Sequence, residues 1–127
     1  MKYWITTHHP TDEVNVVEKI YVSKSQPSYQ QEVKINDKVV IYETGKTPDN
    51  VKKKGRKGII AIGIVKSDFY DPRHEKYIAV ADVDVQDSKS FIPLDTIPDS
   101  LRSSRFYRNS IRELRKDEYE AIKKIFR

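Results

Sequence analysis

The chain has 127 residues, 37% of them hydrophobic and 34% charged, which fits one domain built around a single modest core. Its formal charge is +5, from 24 Lys and Arg against 19 Asp and Glu, so a polyanion is the expected class of partner. Cysteine is absent, which excludes disulfides, thiolate metal sites and a cysteine nucleophile, and there is no run of about 18 apolar residues to span a membrane.

Ile and Val total 26 against three Leu (Leu94, Leu101 and Leu114), so the apolar content is concentrated in strand formers. The expectation is an α+β domain, mainly β, spanning residues 1–127. Lys2 to Thr7 is the first strand, stopped by His8-His9-Pro10 because the residue before proline avoids the helical region. With no apolar leader ahead of that strand, a cytoplasmic protein is expected. Thr11-Asp12-Glu13 supplies a cap and first-turn acids for a short helix through about Lys19, with Val14 and Val17 on one side. Tyr21 to Gln31 reads as a polar, aromatic loop with room for a helical turn.

Asn36-Asp37 is a tight turn, since both residues tolerate left-handed backbone and bond their own main chain. It leads into a buried strand from Lys38 to Tyr42. After a basic connection comes the run from Ile59 to Val65, a second strand apolar enough to be covered on both faces. Asp68 to Pro72 forms an aromatic rim. Tyr77 to Val85 alternates at its end, with Val83 and Val85 on one face and Asp82 and Asp84 on the other, which marks a half-buried strand. Pro93 and Pro98 frame a short helical turn, Asp99-Ser100 caps another, and the chain is extended again from Arg108 to Leu114. A final helix from about Asp117 to Phe126 places Tyr119, Ile122 and either Ile125 or Phe126 on one stripe.

Catalytic and metal patterns are weak. His8, His9 and His74 lack ligand spacing, because neighbours on a strand point to opposite faces. The four glycines do not form a phosphate loop, and no serine stands in a nucleophile elbow. A binding protein without metal or cofactor is therefore expected.

Two groups of residues carry a binding argument. The first is cationic: Lys52, Lys53, Lys54, Arg56 and Lys57 fall within six positions, Lys46 precedes them, and Arg102, Arg105, Arg108, Arg112 and Arg115 recur in the last third. These would neutralise phosphates and give salt-dependent affinity without sequence preference, with Lys46 to Arg112 as the phosphate-binding candidates. A solvated basic loop that only keeps the protein soluble is the competing reading. The second group is aromatic: Trp4, Tyr21, Tyr29, Tyr42, Phe69 and Tyr70 fall at strand ends or in the polar loop. A flat base stacks on such rings, and a methylated base buries additional apolar surface there. Each ring taken singly is better read as completing the core, and only their joint position favours a pocket. Thr6, His8, Ser23 and Gln26 are the candidates for hydrogen bonds to the base edge.

Taken together, Tyr3-Trp4-Ile5 with Pro10, Ile35 to Tyr42, Gly58 to Val65 with Tyr70-Asp71-Pro72, and Arg108 to Leu114 leading into Glu118 to Ile122 resemble an EVE domain. Such domains belong to the PUA-like superfamily and are similar to YTH domains. The resemblance implies a small PUA-like β-barrel of about five or six strands with peripheral helices, reading a modified base in an aromatic pocket. EVE-like modules also begin McrB-type modification-dependent restriction enzymes, which implies methylated DNA as partner and a larger restriction complex; methylated RNA is the alternative. Trp4 and Thr6-Thr7-His8 match the pocket-lining strand end, and Tyr42 matches the aromatic that closes the central strand. Tyr21 stands where the family often has a cage tryptophan, with Tyr29 as its alternative. The family's usual Gly-Asp turn is Asn36-Asp37 here, and Thr6 to Pro10 replaces its Lys-Ser-Glu-Pro pattern. Whether the mark is N6-methyladenine, 5-methylcytosine or another stays open.

Overall fold

A computed structural model describes residues 1–10, 18–45, 49–97, 99–103 and 111–126. Strands β1 (Tyr3–His8), β2 (Lys19–Ser23), β3 (Lys38–Glu43), β4 (Gly58–Val65), β5 (Tyr77–Asp87), β6 (Ile92–Pro93) and β7 (Ile111–Leu114) form one sheet. Its order is β2-β5-β4-β3-β1-β7, with β6 added to β4. All neighbours are antiparallel except β1 and β3, which run parallel. The sheet curls until β2 and β7 touch, giving a nearly closed barrel. Helices α1 (Tyr29–Glu32), α2 (Asp99–Ser103) and α3 (Lys116–Phe126), with a 3-10 turn at Leu94–Thr96, lie around it.

The expectation of strands covered on both faces holds for β3 and β4, and period-2 alternation explains how. Trp4, Val39 and Ile41 point into the barrel with Ile60, Ala61, Val65, Ala81 and Val83. Ile5, Val40, Tyr42, Ile59 and Ile62 point outward, where Leu101 of α2 and Tyr119, Ile122 and Phe126 of α3 cover them. The alternation breaks once, at Ile60 and Ala61, which both face inward. There the register slips by one residue between Ile41 opposite Ala61 and Tyr42 opposite Ile59, so a bulge resets the face. Gly63 lets β5 approach closely, since a Cβ would lie 2.4 Å from the Asp84 carbonyl oxygen.

Helix α3 buries Tyr119, Ile122 and Phe126 and leaves Ile125 49% exposed, which settles the stripe in favour of Phe126. Its start is half of a capping box: Glu118 Oε1 accepts the Arg115 backbone N–H at 2.9 Å. Among the described residues no helix is long and apolar enough to cross a membrane.

Two sequence expectations change, and a third is borne out where it is described. The helix expected from Thr11 falls mostly on residues 11–17, outside the described residues, and its far end is wrong because Lys19 opens β2. The loop expected from Tyr21 contains the rest of β2 and then α1. Ile20 and Val22 are fully buried while Lys19, Tyr21 and Ser23 are half-buried, so the segment is a half-buried strand too short and polar to stand out. Of the extended stretch expected from Arg108, Ile111–Leu114 is strand and the earlier residues lie outside those described.

The Asn36-Asp37 turn is as expected, with Asn36 at φ 75°. Asp37 is also a structural knot. Buried at the end of the barrel where β3 begins, it accepts hydrogen bonds from the Lys2 and Lys34 N–H groups (3.1 and 2.9 Å) and from the Trp4 indole (2.9 Å).

Candidate nucleic-acid interface

The opposite end of the barrel, where β1 and β3 finish and β4 starts, collects charge. His8 lies beside Glu43, and Glu43 beside Gly58. Glu43 is 2% exposed and accepts the Arg56 N–H (3.1 Å) and Nε–H (2.9 Å). Burial pushes the Glu43 carboxyl up, but Arg56 and the nearby His8 outweigh it and hold the group below the ordinary glutamate value. His8 Nδ1 is 2.9 Å from Glu18 Oε2, while its buried Nε2, 3.9 Å from Glu43 Oε1, has no hydrogen-bond partner among the described residues.

From Glu18 the site continues down the outer faces of β2 and β5. Tyr21 stacks at a tilt on Tyr77 with ring centroids 4.9 Å apart, and His74 lies 5.0 Å beyond Tyr77. Tyr70, 42% exposed, donates its hydroxyl to Asp82 Oδ1 (2.7 Å) and accepts from Lys19 Nζ (2.9 Å), which also reaches Asp82 at 3.0 Å. The Tyr70 hydroxyl, with Lys19, holds the Asp82 carboxyl below its ordinary value against the effect of burial, and the same hydroxyl leads the groups that raise Lys19. Burial pushes the Tyr21 hydroxyl up, against the pull of Lys19. The result is an aromatic surface bordered by donors and acceptors, the arrangement that stacks a base and reads its edge.

The basic loop borders the rim on its other side. Lys52, Lys53 and Lys54 are exposed, and a cleft of about 590 Å³ is lined by Arg56, Lys57, Leu94, Asp95 and Arg102. Lys46, Arg105 and Arg108 lie outside the described residues. Arg112 departs from its expected phosphate role: its Nη1 is buried 3.8 Å from Glu118 Oε2, a carboxylate 3% exposed, and serves the fold.

Of the expected pocket, the structure places Tyr21 and Tyr70 on the β2–β5 face and His8 at the barrel end against Glu18 and Glu43, and disperses the rest. Trp4 and Thr6 are fully buried and Tyr42 is 2% exposed, so all three belong to the scaffold and offer no face to a ligand. Thr7, half-buried, pairs with Tyr42 along β1. Phe69 packs against the barrel interior. Tyr29 sits edge-on to Trp4, and with Gln26 it lines a separate cleft of about 400 Å³ that also contains Glu32 and Glu113. Ser23 bonds Ser25. Sequence reasoning missed Tyr77 and Lys19. The one available signal was alternation along β2, which places Lys19 and Tyr21 outward once that strand is recognised; alternation along β5 puts Tyr77 on the face of Ala79 and Ala81, and only the register shift between Val22 and Ser23 brings it beside Tyr21.

No protein-family model matches the chain, and no curated protein matches it. Solved structures that share its architecture include the following two. The NMR structure of Rpa0253 from Rhodopseudomonas palustris superposes with a TM-score of 0.69 at 14% identity, covering 99% of this chain and 93% of that one. The crystal structure of human THYN1 in complex with DNA containing 5-methylcytosine gives 0.66 at 13% identity, covering 98% and 97%. At these identities the likeness is one of fold, and the fold is the small PUA-like α+β barrel expected from the sequence.

Proposed function

We propose that this protein binds nucleic acid across the rim between the basic loop and the β2–β5 face, and that it reads a methylated base in DNA there. One observation carries the reading: Tyr21 stacks on Tyr77 and Tyr70 is bonded to Lys19 and Asp82 on the β2–β5 face, and β2 follows Glu18, whose partner His8 stands at the end of the barrel that carries Arg56. A domain of the same fold solved with 5-methylcytosine DNA supports the choice of DNA over RNA. In this reading a base leaves the duplex, at an unstacking cost of a few kcal/mol, which stacking at about 1–3 kcal/mol per base contact offsets. The protein contributes recognition and no catalytic step, so bound oligonucleotide is recovered intact. Within a modification-dependent restriction system, the mark it binds is the mark that the system cuts.

The test is a fluorescence polarisation titration with unmodified duplex, the same duplex carrying N6-methyladenine or 5-methylcytosine, and N6-methyladenine single-stranded RNA. Tighter binding to one methylated duplex is expected, and equal binding to all four defeats the proposal. A 2-aminopurine placed beside the mark should brighten on binding if the base is extruded.

A further inference from the structure

The cleft beside Gly58 is built around an arginine held on two sides. Arg56 Nε donates to Glu43, and the guanidinium carbon lies 5.6 Å from the centroid of the Phe91 ring. The two supports differ: Glu43 is 2% exposed in the end of β3, while Phe91 is 39% exposed and rests on the surface beside Gly58. A Cβ on Gly58 would fall 2.5 Å from that ring and 2.3 Å from the Ile92 carbonyl oxygen. Yet the Arg56 side chain is 45% exposed and lines the cleft. With Nε engaged by Glu43, the two terminal nitrogens of the fork are left for a ligand.

We propose that this cleft is a phosphodiester subsite, in which Arg56 grips one phosphate with two parallel hydrogen bonds and Glu43 acts as its positioning residue. The inference rests on the nucleic-acid reading above and gives that reading its backbone contact. A guanidinium fork matches two phosphate oxygens, and pre-ordering it removes part of the entropy that binding otherwise costs. Lys57, on the adjoining wall, adds a charge with no ion pair among the described residues. Arg102 shares its guanidinium with Asp99, and Asp95 also lines the cleft. The added positive charge in the cleft therefore comes from Lys57.

The experiment titrates a labelled duplex at several salt concentrations from about 50 to 200 mM with the wild-type chain and single variants. Arg56→Ala should weaken binding about tenfold and flatten the plot of log affinity against log salt by about one unit. The control is Lys34→Ala, an exposed cation at the far end of the barrel beside Asp37. Equal effects of the two variants would show that Arg56 acts only through net charge and would overturn the subsite. Glu43→Gln separates positioning from electrostatics. It removes a negative charge, so field effects alone predict tighter binding, whereas loss of Arg56 geometry predicts weaker binding. Tighter or unchanged binding removes Glu43 from the proposal. If Glu43→Gln melts too low to assay, Phe91→Leu releases Arg56 from its other side and should also weaken binding. The methyl preference of the wild-type chain is read in the same titrations. A flattened slope without preference keeps the cleft and discards the base reading, and a preference with an unmoved slope does the reverse.

Discussion

Two buried carboxylates stand at opposite ends of the barrel, and their partners differ in kind. Asp37, 3% exposed, accepts hydrogen bonds from two backbone N–H groups and from the indole of a fully buried Trp4. Glu43, 2% exposed, accepts from Arg56, whose side chain is 45% exposed, and faces the Nε2 of His8, which is unpartnered among the described residues. The Asp37 end is sealed, since every partner is fixed by the fold. The Glu43 end has one partner in solvent, where a ligand can reach it. Similar chemistry thus locks the fold at one end and presents a side chain at the other.

The largest expected effect separates the two ends. Asp37→Ala leaves the Trp4 and Lys34 donors without acceptors near the core, and at about 1–3 kcal/mol for each orphaned group the loss should reach about 3 kcal/mol or more. A urea melt should show it as a much lower midpoint. Arg56→Ala, by contrast, should cost less, about 1–2 kcal/mol, because Glu43 keeps the Arg56 backbone N–H and water can replace an arginine side chain that is 45% exposed. Comparable losses in the two variants would mean that both ends are structural.

The second effect sets Trp4 against Tyr21, two rings that the sequence placed in one pocket. Trp4→Phe should cost about 1–2 kcal/mol of stability, the indole bond to Asp37, and leave affinity alone. Tyr21→Ala should leave the midpoint nearly unmoved and cost about 1–3 kcal/mol in binding. Polarisation and melting curves on both variants check the assignment, and a Trp4 variant that folds but loses binding would restore it to the site.

The same pair shows how far the sequence could be read. Barrel class, the β3 and β4 runs, the Asn36-Asp37 turn and α3 were legible because burial on both faces, left-handed turn chemistry and a 3.6-residue stripe leave local marks. Which aromatic faced outward was not. Trp4 and Tyr42 each end up buried, but on opposite faces of the sheet, because Trp4 points into the barrel and Tyr42 into the layer under α3. Alternation fixes that Tyr42 shares a face with Val40, but which face of the strand becomes the barrel interior is set by partners distant in the chain. Tyr77 and Lys19 went unrecognised for a related reason: they join Tyr21 and Tyr70 only once β2 pairs with β5.

A smaller effect appears on acidification. The folded Glu43 carboxyl lies below its ordinary value, so its contribution to stability is fully present above about pH 4.3 and is lost as pH falls through the lowered folded value. Arg56→Ala removes the group that lowers it. The gap in stability between wild type and this variant should therefore be constant near neutrality and close in the acid range. A gap that stays constant to the lowest pH would show that the two side chains are not coupled.

The smallest expected effect asks what the Tyr70 hydroxyl contributes. It joins Lys19 to Asp82, but those two groups are also 3.0 Å apart directly, so the pair survives without it. Tyr70→Phe should change stability by about 0.5 kcal/mol or less, as expected for one bridge in a partly exposed pair. The ring persists in this variant, and a base that stacks on it should bind within about twofold of wild type. Tyr70→Ala removes the ring as well and should weaken binding more. If Phe and Ala weaken binding equally, the hydroxyl and the Asp82 carboxylate it orients make the contact, and this face works by reading the base edge more than by stacking.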